Sequence, residues 1–313
     1  MFNIDTVDRH LSTQSGLPEK AAARQKQTFS LMFQSFIMLA PECAKFNDFM
    51  FDQYLKRWEL TIDGDAFASL NGYLLPVRHH GLPAMLKISQ ELEEQAGTLL
   101  MAWWDGEGAA PVLAHDGEAL LMERANGSGS LAHMVSRGQD DEATRIICAV
   151  VRRLHMPRTK PLPALVPLVE RFEALWSAAA THRGIFEQCA ETAHQLLGSP
   201  REVRVLHGDI HHGNVLDFGA KGWLAIDPKG LYGERGFDYA NIFCNPDSKS
   251  ALAPGRFEHR IGVVAHAAEI DRHRLLQWVL VWAGLSAAWM LEDDIEPDAP
   301  LEVAKLAALT LGL

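Results

Sequence analysis

Cysteine is scarce in this chain. Its four copies, Cys43, Cys148, Cys189 and Cys244, are scattered over 313 residues with no C-x-x-C pair. That excludes a disulfide framework and a structural zinc knuckle, and it suits free thiols in a reducing cytosol, so a cytoplasmic location is expected. Basic charge is also short. Lys and Arg number 29 against 40 Asp and Glu, for a formal charge of −11. Nucleic acid is therefore not expected as a partner, whereas a cationic small molecule would be electrostatically welcome. Long apolar runs are missing too. The longest uncharged one, 278-WVLVWAGLSAAWML-291, is shorter than the roughly 18 to 20 residues of a membrane span and reads as a buried helix. The stretch 29-FSLMFQSFIMLA-40 starts too deep and lacks a small-x-small cleavage site, so it is not read as a signal peptide. No internal repeat or low-complexity tract is present.

What the chain does have is ordinary globular material, 48% apolar and 22% charged, enough for one large domain or two modest lobes. Residues 1–49 read as a loosely patterned helical extension, broken at Pro41. From Met50 the pattern sharpens. In 71-NGYLLPVRHHGLPAMLKI-88 two apolar runs flank a His-His-Gly turn, as in a β-hairpin. Residues 89–104 follow with helical spacing, acids in the first turn and Ser89 as N-cap. Residues 111–124 make two more short strands about Asp116-Gly117. After the flexible-looking crossing 126-NGSGS-130 the chain turns helical, with a helix over 140–156 stopped by Pro157. Further helical segments lie near 164–180, near 185–197 and from about 257 onward. The expected fold class is therefore α+β. A small sheet lobe with one helix (50–125) precedes a larger, mostly helical lobe (126–313), with a ligand cleft between them.

The chemistry gathers in 206-LHGDIHHGNVL-216 and in 223-WLAIDPKG-230. Phosphoryl transfer needs a carboxylate to orient and deprotonate the acceptor hydroxyl, two hard oxygen ligands for magnesium, and a lysine on the phosphates of the nucleotide. Asp209 and Asn214 stand five residues apart, and Asp227 ends an apolar strand. This is the order in which protein kinases carry a base, a metal-binding amide and a metal-binding carboxylate. The rival chemistry is a metal hydrolase in which His207, Asp209, His211 and His212 hold a transition metal. Against it, Gly213-Asn214 is followed by Val215 and not by His, and the early D-x-H, Asp8-Arg9-His10, lies in the unpatterned extension. In the kinase reading the three histidines shape the loop or line the cleft.

These stretches, together with 103-WWDGEGAA-110, 120-LLMER-124, 231-LYGERGFDYANIFCNP-246 and 285-LSAAWMLEDD-294, resemble the aminoglycoside phosphotransferases. The likeness is strongest to the branch of streptomycin 6-phosphotransferases and hydroxyurea resistance kinases. The resemblance implies a protein-kinase-like two-lobed fold, ATP and Mg2+ as cofactors, Asp209 as base, and Asn214 and Asp227 as metal ligands. It also implies Lys87 on the α- and β-phosphates, paired with Glu94 (or Glu91 or Glu93), and adenine contacts at a hinge near Glu123 and Ala125. The glycine loop of protein kinases is absent. Residues 69-SLNGYLLP-76 occupy its place, and Ser69 and Asn71 are candidate phosphate contacts. Family members commonly begin near this chain's Met50, so residues 1–49 are expected to be dispensable.

An acceptor pocket for a polyhydroxylated, cationic substrate should present carboxylates. The candidates are Glu234 and Asp238, beyond the metal loop, and Glu292 and Asp293 in the acidic run that continues through Asp294, Glu296 and Asp298. Asp238 could instead brace a loop. Lys229 could neutralise transferring phosphate or pair with a nearby acid. The expected activity is ATP-dependent phosphorylation of streptomycin at the 6-position, by a monomer or weak dimer. A kinase of another metabolite or of hydroxyurea, a non-catalytic nucleotide-binding regulator and a dinuclear phosphoesterase are the alternatives.

Overall fold

The computed structural model describes residues 43–69 and 72–313. The expectation for the extension lies outside the described residues as far as position 42. From there helix α1 (Cys43–Arg57) runs straight through the boundary expected at 49/50. It buries Phe51 and Tyr54 in a small core with Leu75, Val77, Leu86 and Leu121.

That core lies on one face of an antiparallel sheet formed by β1 (Thr61–Ile62), β2 (Phe67–Ser69), β3 (Gly72–His79), β4 (Leu82–Ile88), β5 (Val112–Asp116) and β6 (Ala119–Glu123). The order is β1-β3-β4-β6-β5, with β2 also on β3. The hairpin expected in 71–88 is β3–β4. His79 pairs with Leu82, and His80 and Gly81 between them have φ of +50° and +80°, as a two-residue hairpin loop requires. Side-chain alternation along the strands divides the sheet. In β6, Ala119 and Leu121 face the α1 core. Leu120 and Met122 face the opposite side, with Leu100, Met101 and Trp104 of α2 (Leu92–Trp104). Lys87 pairs with Leu120 across β4–β6, so the same alternation aims Lys87 at α2. Helix α2 starts later than the sequence pattern indicates. Glu91 takes the N-cap position without a side-chain bond, while the Ser89 Oγ accepts the Glu91 N–H at 3.3 Å. A Ser three residues before the first helical turn is too early to reach the amides that a cap satisfies.

A linker then joins the lobes. The Ala110 N–H donates to the Ala225 carbonyl, and the Ala225 N–H to that of Gly108, both at 2.9 Å. The second lobe contains α3 (Leu131–Ser136), α4 (Asp140–Leu154), α5 (Glu173–His182) and α6 (Ile185–Gly198), followed by α7 (Gly236–Ala240), α8 (Ser248–Ala251), α9 (Arg256–Ala268), α10 (Arg272–Glu292) and α11 (Asp298–Leu311). Between them lie β7 (Val166–Pro167), β8 (Val203–Leu206), β9 (Val215–Asp217), β10 (Trp223–Ala225) and β11 (Leu231–Glu234). Strands β9 and β10 form an antiparallel pair, and β11 lies between β8 and β7. The segment near 164–180 is only partly α-helical, with β7 and a 3-10 turn (Leu168–Phe172) preceding α5. The crossing at 126–130 is pinned, because the Gly127 N–H donates to the Asp217 carbonyl and the Gly129 N–H to its carboxylate. Helix α10 contains the uncharged run 278–291. It is long and apolar enough to cross a membrane, yet it is largely buried as the spine of this lobe, against α5, α6, α7 and α11.

Candidate active site

The polar motif occupies the loop between β8 and β9, and backbone bonds set its shape. His207 is fully buried. Its Nε2 lies 2.8 Å from the Ile226 carbonyl, and its Nδ1 accepts the Asp209 N–H at 3.2 Å. The Lys229 N–H in turn donates to the His207 carbonyl at 2.7 Å. The Nδ1 of His211 accepts the Gly213 N–H at 3.0 Å. Burial lowers the pKa of both imidazoles and holds that of His212, which also faces Arg260, well below the ordinary 6.5, so all three rings are neutral. Among the described residues no group of three or more His, Cys, Asp or Glu converges as a metal site. With both nitrogens of His207 turned to backbone, the hydrolase arrangement of imidazoles is not built.

The oxygen-bearing residues do come together. Asn214 Nδ2 donates to the Asp209 carbonyl at 2.9 Å and approaches its Oδ2 at 3.5 Å. The Ile226 N–H donates to the Asn214 carbonyl at 2.9 Å, which sets Asp227 beside it. Asp227 has φ of +65°, a left-handed turn that Asp tolerates better than most residues, and its carboxylate pairs with Lys87. With its amide nitrogen committed to Asp209, Asn214 retains the amide oxygen as a free metal ligand. Amide plus carboxylate is the hard oxygen set that a magnesium ion takes, usually with waters and substrate phosphates completing the shell. Lys87 Nζ also pairs with Glu94 Oε2, which selects Glu94 over Glu91 and Glu93 as the helix partner. Glu93 pairs with Arg171 instead. Burial would pull the Lys87 ammonium down, but Asp227 and Glu94 hold it above its ordinary value. Burial alone would raise Asp227, and Lys87 and Lys229 hold it well below the usual carboxylate range.

Several expected contacts take other partners. Asp238 is fully buried. Its carboxylate accepts the N–H of His207 at 2.9 Å and of Gly208 at 2.8 Å, and His155 Nε2 lies 2.8 Å away. It braces the loop between β8 and β9 and is closed to solvent. Glu234 is also buried and unavailable. It pairs with Arg274 at 2.6 Å, accepts Trp278 Nε1 at 2.7 Å, and takes the Arg201 N–H at 2.8 Å. Ser69 donates its hydroxyl to the Gly72 carbonyl at 3.0 Å, and Asn71 lies outside the described residues. At the hinge, the Glu123 N–H donates to the Pro111 carbonyl and its carboxylate pairs with Lys221. The Ala125 N–H has no backbone partner among the described residues. Glu292 is exposed and Asp293 half-buried at the end of α10. One turn before them, Trp289 lies under the Arg171 guanidinium at 5.1 Å, and Arg171 reaches Glu93 on α2. That chain of contacts ties this end of α10 to α2.

One residue of the site escapes the sequence reading. Asn241 is buried, and its Nδ2 donates to Asp209 Oδ1 at 3.0 Å, while its own Oδ1 accepts from Asn245 Nδ2 at 2.8 Å. The available signal was spacing. Asn241 follows Asp238 by three residues in 236-GFDYAN-241, so on a helical turn both face the same loop.

The family described as aminoglycoside/hydroxyurea antibiotic resistance kinase matches residues 57–294. A streptomycin 3''-kinase of Klebsiella pneumoniae is 51% identical over 244 residues, covering 76% of this chain and 91% of that protein. A streptomycin 6-kinase of Streptomyces griseus is 32% identical over 272 residues, covering 81% and 86%. Among solved structures, the choline kinase LicA of Streptococcus pneumoniae superposes with a TM-score of 0.57 at 10% identity, over 86% of this chain and 99% of that one; it shares the protein-kinase-like fold. The chain belongs to the aminoglycoside/hydroxyurea antibiotic resistance kinase family.

Proposed function

We propose that this protein transfers the γ-phosphate of ATP to a hydroxyl of streptomycin. The observation that carries the reading is the convergence of Asp209, Asn214, Asp227 and the Lys87–Glu94 pair in one network of contacts. In this reading Asp209, its two oxygens steered by Asn241 and Asn214, accepts the proton of the acceptor hydroxyl as that oxygen bonds to the γ-phosphorus. The bond from phosphorus to the bridging oxygen breaks, and ADP leaves. Lys87 holds the phosphates. Asn214 and Asp227 would hold magnesium, which when bound neutralises charge on the phosphates. Adenine would bond to the backbone at Ala125. The exposed Glu292 and half-buried Asp293, with the −11 net charge of the chain, suit a guanidinium-bearing acceptor.

For the position of transfer, the relative at 51% identity is a 3''-kinase and the one at 32% a 6-kinase. This favours the 3''-hydroxyl over the 6-hydroxyl expected from the sequence alone. The test is ATP-dependent ADP release with streptomycin, followed by phosphorus–proton correlation NMR on the product. Phosphate on the 3''-oxygen supports the reading, and phosphate on the 6-oxygen overturns the position. Turnover of hydroxyurea or a choline-like alcohol with streptomycin untouched overturns the acceptor.

A further inference from the structure

The cleft contains a second lysine that phosphoryl transfer as described above does not use. Lys229 is 1% exposed, and its Nζ lies 2.5 Å from Glu94 Oε1. Lys87 occupies the other oxygen of the same carboxylate, Oε2, and also reaches Asp227. Two ammonium groups and two carboxylates thus form one cluster with no formal net charge, buried except for the half-buried Asp227. Its members come from three elements: β4 gives Lys87, α2 gives Glu94, and the loop after β10 gives Asp227 and Lys229. The backbone of that loop is fixed as well, through the Lys229 N–H on the His207 carbonyl. Helix α2 lies directly on the loop, for a Cβ added at Gly97 would meet the Pro228 carbonyl oxygen at 2.1 Å.

The arrangement matters when phosphates enter. An ammonium has three donors, and Lys87 is expected to give at least one to the nucleotide, loosening its hold on Asp227. A buried carboxylate that lost half of its pairing would draw Lys87 back, since an incompletely paired buried charge is strongly unfavourable. The bond from Lys229 to the second oxygen of Glu94 removes that competition.

We propose that Lys229 is a positioning residue that fastens Glu94 and α2 to the metal loop, so that Lys87 is presented to the nucleotide in a cleft assembled before the nucleotide arrives. This rests on the ATP-kinase reading above and adds a requirement specific to this loop. Its test is a double-mutant cycle on nucleotide affinity, read by calorimetric titration with a non-hydrolysable ATP analogue and magnesium. Failure of the wild-type protein to bind the analogue would overturn the kinase reading itself.

Given wild-type binding, Lys229→Met is expected to weaken the Kd by about tenfold or more, and to raise the ATP KM by far more than the streptomycin KM. In a Glu94→Gln background the same change is expected to cost less than about threefold, because the partner through which Lys229 acts has lost its charge. A Lys229→Met Kd within about twofold of wild type, even with a lowered Tm, would make the lysine merely structural and overturn the proposal. So would an equal penalty in both backgrounds. Should Lys229→Met be insoluble, Lys229→Gln, which keeps a donor near Glu94, takes its place in the cycle with a smaller loss and the same two overturning results.

Discussion

Asp238 illustrates how much one buried carboxylate can do without touching a reactant. Burial would raise its pKa, but hydrogen bonds from His155 and the loop amides hold it below the ordinary value. It stays charged, and it fixes the two backbone N–H groups that precede Asp209. Asp238→Asn keeps the shape and turns one amide N–H against a donor. Losing a charge-assisted bond of this kind costs on the order of 1–3 kcal/mol, so kcat should fall about 10- to 100-fold with the streptomycin KM within about threefold. Steady-state kinetics on both substrates decide it, and a change confined to the streptomycin KM would restore Asp238 to the acceptor pocket. The sequence put this residue beside the metal loop and left its role open. Only its burial against His155 and the loop amides selects the bracing role.

At the scale of elements, the catalytic loop and the α2 contact each have a measurable consequence. His207, His211 and His212 are neutral in the fold, with pKa values below the 6.5 that an exposed histidine would have. Below about pH 6.5 the unfolded chain therefore binds more protons than the native one, and stability falls as pH falls, by up to about 1.4 kcal/mol per pH unit for each histidine. Thermal unfolding should show a Tm that declines from pH 7.5 to 5.5, and a Tm that rises on acidification would contradict the buried neutral rings. For α2, Gly97→Ala places a methyl against the Pro228 carbonyl and must push the helix off the metal loop. A loss of roughly 1–3 kcal/mol in stability is expected, with nucleotide affinity reduced about tenfold because Glu94 moves with the helix. Chemical denaturation and analogue titration on the same variant check both. Strands β3 to β6 and helices α2, α4 and α6 were legible from periodicity, whereas β1, β2 and the span of α1 were not. The 3-10 turn before α5 and the late start of α2 were not, because neighbours override local propensity at element ends.

For the whole molecule, the question is where the catalytic unit begins. The family match starts at residue 57 and residues 1–49 were expected to be dispensable; α1, which begins at Cys43, places Phe51 and Tyr54, just past that boundary, in the core of the sheet lobe. A chain lacking residues 1–42 retains all of α1 and should phosphorylate streptomycin within about twofold of the full chain. One lacking residues 1–57 loses both buried aromatics. Truncating a single buried Phe costs about 3–5 kcal/mol, so this second chain should unfold at much lower temperature or fail to accumulate folded. Scanning calorimetry of the two proteins makes the comparison, and equal stability would show that α1 is peripheral.

The sequence by itself determined the lobes, the hairpins and the loop positions of Asp209, Asn214 and Asp227, because strand alternation and fixed motif spacings are local and survive without coordinates. Tertiary structure decided which acid pairs with Lys87, that Asp238 and Glu234 are internal braces, and that Asn241 bonds to Asp209. Those assignments depend on which side chains meet across elements far apart in the chain. Hydrogen-bond partners and burial, and not residue type or position along the chain, decide whether a carboxylate binds substrate or holds the fold.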